Sequence, residues 1–212
     1  MSFWPEFLVI AAAHLLAVAS PGPDFAIVLR YAVRYGRKTA VYASLGIGAA
    51  ILLHVSYSLI GIGVLIKTTP WLFQLLSLAA ALYLIYLGQG AIRAQAPKLG
   101  ATADVTAGNE QLPSAKKAFS TGFITNGLNP KATLFFLSLF AVVISAQTPL
   151  LFKAIYGLYM AAMTAVWFCM LSYLLTQQRI RHFLLSKGFW FDRLMGVLLL
   201  LLAGHLLISS FS

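Results

Sequence analysis

Two ionisable side chains stand in segments where an apolar sequence offers them little water: Asp24, in Ser20-Pro21-Gly22-Pro23-Asp24, and Lys131, in Asn129-Pro130-Lys131. Along an ideal helix Asp24 lies about 9 Å inside Arg30, and Lys131 about 21 Å from Lys117. Both therefore fall within or near the hydrocarbon if the flanking apolar runs cross a bilayer. A charge at the centre of such a span costs about 2.5–3.5 kcal/mol on insertion scales, so each needs a partner or a function. Both also sit beside proline, which removes a backbone donor and clashes with the preceding turn. The carbonyls it frees are costly in hydrocarbon unless protein, water or a ligand satisfies them. With Gly22 or Asn129 as N-cap and proline in the first helical position, each break starts a new half-helix inside the membrane. Two positive dipole ends then converge near mid-depth, which suits a carboxylate. Asp24 in a first turn agrees with that dipole, whereas Lys131 opposes it and requires an anion, either Asp24 or a bound carboxylate.

Two readings follow. In one, Pro21, Gly22, Pro23, Asp24, Asn126, Asn129, Pro130 and Lys131 form a binding site. In the other, Asp24 and Lys131 are a buried ion pair that only holds two parts of the molecule together. Asn126, Asn129 and Thr133 follow an i, i+3, i+7 stripe that an ideal helix presents on one face, with Lys131 pointing elsewhere unless the break reorients it.

The elements that must position these residues are spanning helices. Of 212 residues 60% are hydrophobic and 9% charged, too little polar surface to solvate a globular domain. Apolar runs near Phe3–Tyr31, Thr39–Ile66, Trp71–Ile92, Phe119–Ser145, Leu150–Thr176 and Trp190–Ile208 predict an all-α integral membrane protein of six transmembrane helices. Residues 1–212 read as a single membrane domain: a first half, 1–92, a Pro- and Gly-containing connector, 93–117, and a second half, 118–212. Three spans per half is odd, so the second half is threaded oppositely to the first, the layout of a 3+3 inverted repeat whose first helix is broken in each half.

The charge of +10 falls in short clusters between spans. Arg30, Arg34, Arg37, Lys38, Arg93, Lys98, Lys116, Lys117, Arg179, Arg181, Lys187 and Arg193 share one side, and Lys67 and Lys153 the other. The positive-inside rule puts the first group in the cytoplasm and both termini outside, and it accounts for the charge without nucleic acid. Phe7 to Ser20 imitates a secretory leader but follows Glu6 and no Lys or Arg, so it reads as an uncleaved first span. Trp4, Trp71, Trp190, Tyr31 and Tyr35 lie at span ends, where amphipathic rings favour the headgroup layer.

Other polar residues carry less chemistry. His14, His54 and His205 stand singly on apolar spans and suit hydrogen-bonded packing better than proton relay. Tyr57, Tyr83, Tyr86, Tyr156 and Tyr159 suit packing better than a pathway lining. Cys169, the one cysteine, has no disulfide partner and reads as a small core residue. No metal-ligand spacing, HExxH, GxSxG or clustered acidic pair is present, so neither an enzyme nor a cofactor is expected. Ala40, Ser44 and Gly48 form a small-xxx-small stripe suited to close packing inside the bundle or, less simply, to a homodimer contact.

At these residues the sequence resembles the LysE/RhtB family of amino-acid exporters, especially its threonine and homoserine branch. The resemblance spans nearly the whole chain: Ser20-Pro21-Gly22-Pro23-Asp24-Phe25, Tyr35-Gly36-Arg37-Lys38, Leu45-Gly46-Ile47, Tyr83-Leu84-Ile85-Tyr86-Leu87-Gly88 and Asn129-Pro130-Lys131-Ala132. It implies a six-span exporter in the bacterial inner membrane that releases small amino acids, using protons as the coupling ion. Family members vary at the place of Asp24, some carrying a neutral amide, so an acid there is not the whole mechanism. A channel or structural membrane subunit built around an Asp24–Lys131 pair is the rival.

Overall fold

The computed structural model describes residues 3–20, 22–68, 70–93, 112–145, 147–187 and 189–211. Pro21 and residues 94–111 of the connector lie outside them, as do the side chains of Lys67, Tyr83 and His205. Among the described residues every regular element is helical: α1 (Phe3–Ala19), α2 (Pro23–Arg34), α3 (Arg37–Thr68), α4 (Pro70–Ile92), α5 (Ala115–Gly127), α6 (Pro130–Val142), α7 (Leu150–Leu174), α8 (Gln178–Lys187) and α9 (Phe189–Phe211). Residues Arg37–Ile60 of α3 and the whole of α7 are each long and apolar enough to cross a bilayer, and α1 with α2, bent by 52°, makes a third such unit if the pair is one span.

The polarity of the molecule is inverted relative to a water-soluble protein. Leu128, Ile208, Ile60, Leu201, Leu158 and Val166 are exposed, while His14, His54, Ser44, Asn126, Asn129, Thr164 and Ser172 are buried. That distribution suits lipid, which solvates leucine and rejects polar groups. Trp4, Trp71 and Trp190 are exposed as interfacial anchors should be. Tyr31 is a correction: it is buried, and its hydroxyl donates to Thr121 Oγ1 at 3.2 Å, tying α2 to α5 instead of reaching the headgroups. Tyr86 is exposed.

Helix α3 packs against α2, α5, α6 and α7, and α4 pairs with α9. At the α3–α5 crossing a Cβ on Gly46 would lie 2.0 Å from the Phe119 carbonyl oxygen, and one on Gly122 1.9 Å from that of Ala43. Only the absence of both side chains lets the two backbones touch. The Ala40-Ser44-Gly48 stripe faces α7: Ser44 Oγ meets Ser172 Oγ at 3.0 Å, and a Cβ on Gly48 would lie 2.6 Å from Ala165 Cβ. The stripe is thus occupied within the chain and is not available for a dimer. The sequence places a basic cluster after the fifth span without assigning it a helix. There Gln178–Lys187 is helical, because its Gln, Arg, Leu and Lys residues are good helix formers.

Candidate functional site

Both breaks form as the proline spacing requires. Helix α2 begins with Pro23 after the N-cap Gly22, whose extended backbone any residue could adopt. Helix α6 begins with Pro130 after the N-cap Asn129, whose side-chain oxygen accepts the Lys131 backbone N–H at 3.0 Å. Four half-helix ends therefore meet: the C-terminal ends of α1 and α5 and the N-terminal ends of α2 and α6.

Each charge finds partners across the breaks. Asp24, in the first turn of α2, accepts from Asn126 Nδ2 at 3.0 Å and Asn129 Nδ2 at 3.1 Å, both onto Oδ2. Lys131 reaches out of α6 to α1, where Nζ donates to Ser20 Oγ at 2.7 Å and to the Ser20 carbonyl at 3.4 Å. This resolves the conflict between Lys131 and its own helix dipole, because the ammonium rests on the negative C-terminal end of another helix. The link between the halves is thus made by amides and a hydroxyl, with Lys131 adding electrostatic attraction to Asp24.

A cavity of about 50 Å³ opens here, lined among others by Ser20, Gly22, Asp24, Asn126, Asn129 and Lys131, room for a few waters. Five of the eight residues singled out in the sequence thus come together. Pro23 and Pro130 are exposed and absent from the lining; they start the half-helices that carry the others. Pro21 lies outside the described residues. Thr133 is also absent from the lining, while Lys131 belongs to it: the break between α5 and α6 interrupts the expected stripe.

The rest of the wall is apolar apart from one pair. Phe25, Ile51, Phe135, Phe136 and Phe168 line it together with His14 and Thr164, and His14 Nε2 lies 3.0 Å from Thr164 Oγ1. His54 is packed as the sequence suggested: Nε2 donates to the Asn126 carbonyl at 3.0 Å, Nδ1 bonds the Tyr57 hydroxyl, and the ring stacks on Phe136. Ser20 was visible as the first residue of the broken-helix motif. Thr164 gave no signal, since a lone threonine in an apolar span usually bonds its own helix. No group of His, Cys, Asp or Glu able to hold a metal occurs among the described residues.

Residues 15–210 match the LysE type translocator family. The chain belongs to that family. It is 30% identical over 205 residues to the threonine efflux protein of Escherichia coli, covering 96% of this chain and 98% of the relative. It is 33% identical over 190 residues to the leucine efflux protein of Salmonella choleraesuis, covering 88% and 84% respectively. No solved structure matches it. As a LysE type translocator the protein is a transmembrane transporter and not an enzyme.

Proposed function

We propose that this translocator exports small neutral amino acids, of the threonine, homoserine or leucine kind, across the bacterial inner membrane by proton-coupled alternating access. The observation that carries this reading is the meeting of four half-helix ends around one carboxylate and one ammonium in a chain of this family. The substrate carboxylate is received by Lys131 and the N-terminal ends of α2 and α6. The substrate ammonium, or a proton in its absence, is received by Asp24, with Asn126 and Asn129 holding the aspartate. Lys131 holds Ser20 and the two amides hold Asp24. Cargo that draws Lys131 and Asp24 to itself weakens the ties between the halves, which couples binding to movement.

The full architecture belongs to the same proposal: six spans, with α1 and α2 forming one and α5 and α6 another, related as a 3+3 inverted repeat. In its support, the pairs a pseudo-two-fold axis brings face to face, α3 with α7 and α4 with α9, are both packed together. Both termini are periplasmic. Cysteines introduced near Lys187 should then be shielded from an impermeant thiol reagent in intact cells, while those near Pro70 and Ser210 react. Reversed labelling would overturn the orientation. Counterflow in proteoliposomes with labelled amino acids, with and without a pH gradient, tests the function. Saturable, trans-stimulated, gradient-sensitive flux is expected; flux that never saturates would favour a pore.

A further inference from the structure

Among the described residues that line the cavity, three carry a buried side-chain atom without a hydrogen-bond partner: Asp24 at Oδ1, Asn126 at Oδ1 and His14 at Nδ1. Buried polar atoms left open in this way are uncommon and call for a ligand or water. The first two are acceptors from the broken-helix region and suit an ammonium, which offers three donors. That accounts for the zwitterion's positive end, as Lys131 accounts for its negative one, and leaves His14 without a task.

His14 differs from the other buried histidine on this point. His54 uses both ring nitrogens within the protein, whereas His14, 1% exposed, uses Nε2 on Thr164 alone. We propose that His14, held in orientation by Thr164, is the specificity-determining residue that reads a hydroxyl on the cargo's side chain. The inference rests on the amino-acid export proposed above. The chemistry follows from the lining. Threonine and valine differ by a hydroxyl in place of a methyl, and a wall of Phe25, Ile51, Phe135, Phe136 and Phe168 alone cannot reject the apolar isostere. A buried imidazole nitrogen can, since it stays unpaired when valine binds and paired when threonine binds. Whichever tautomer the Thr164 bond selects, Nδ1 finds its complement, because a hydroxyl both donates and accepts.

Two conservative variants separate the two ends of the ring. An asparagine amide falls near the position of histidine Nδ1, and a glutamine amide near that of Nε2. In counterflow with purified protein in proteoliposomes, wild type should prefer threonine to valine. His14→Asn should keep that preference although it loses the Thr164 contact. His14→Gln should lose about tenfold of it, through a raised KM for threonine with that for valine unchanged. Thermal stabilisation of the detergent-solubilised variants by threonine against valine gives a second readout independent of turnover and should follow the same order. The inference is overturned if His14→Gln retains the preference, if both variants lose it alike, or if wild type carries both amino acids equally well. In that last case the export proposal stands. A wild type that carries no amino acid at all overturns the export proposal, and His14's assignment with it.

Discussion

At the first break the chain bends by 52° between α1 and α2 over Gly22, an N-cap with no side chain to hold the new helix. At the second, Asn129 caps its own helix and at the same time donates to Asp24 on the other side. The two breaks also carry opposite charges, Asp24 in the first turn of α2 and Lys131 in the first turn of α6. The second break is thus pinned from within, while the first is pinned by the second, through Lys131 on Ser20 and the amides on Asp24. An inverted pair of proline breaks need not be two equal gates. Under the proposed export mechanism one is a fixed post and the other is the part that binding can release.

The largest effect should come from removing the cross-tie to which the proposal also gives the cargo carboxylate. Lys131→Ala is expected to reduce amino-acid counterflow to background and to abolish substrate-dependent stabilisation. That stabilisation should reach about 2.7 kcal/mol in wild type at a hundredfold excess over Kd. A folded Lys131→Ala protein still stabilised by substrate would remove Lys131 from the site. Next in size is the crossing that fixes the second break against α3. Gly122→Ala puts a methyl 1.9 Å from the Ala43 carbonyl oxygen, so the helices must separate. Thermal unfolding in detergent should register a loss of about 1–3 kcal/mol. Gly127→Ala, five residues on, meets only Leu53 at 3.6 Å and should be tolerated. The smallest effects compare the caps directly. Asn129→Ala should cost about 1 kcal/mol or somewhat more, for the lost cap and the lost bond to Asp24. Gly22→Ala should change stability by less than about 0.5 kcal/mol, because its backbone suits any residue and its Cβ would meet Lys131 no closer than 3.8 Å. Equal costs at the two positions would erase the asymmetry.

The half-helices were legible because proline acts locally: Pro23 and Pro130 set their own first turns, and Gly22 and Asn129 are N-caps whatever surrounds them. The convergence of Asp24, Asn126, Asn129 and Lys131 was legible from the cost of charge in hydrocarbon. The partners were not. Lys131 was expected to need an anion, yet it donates to Ser20 Oγ and the end of α1, a choice made by how α1 and α6 pack and not by residue type. Thr164 and His14 meet across 150 positions of sequence, a distance over which periodicity carries no information. Tyr31 at a helix end resembled an anchor because its neighbours on α5 cannot be inferred from its own span. The stripe of Ala40, Ser44 and Gly48 announced close packing, but which helix fills it depends on the fold.

The central claim is that the two breaks bind an amino-acid zwitterion with a fixed sense of charge, and exchanging the charges tests it most directly. The double variant Asp24→Lys with Lys131→Asp, reconstituted in proteoliposomes, keeps one carboxylate and one ammonium at the junction but reverses both against the helix ends and the cargo. Export should remain at background although the protein folds. Counterflow restored to near the wild-type rate would contradict the account and leave Asp24 and Lys131 as a structural pair.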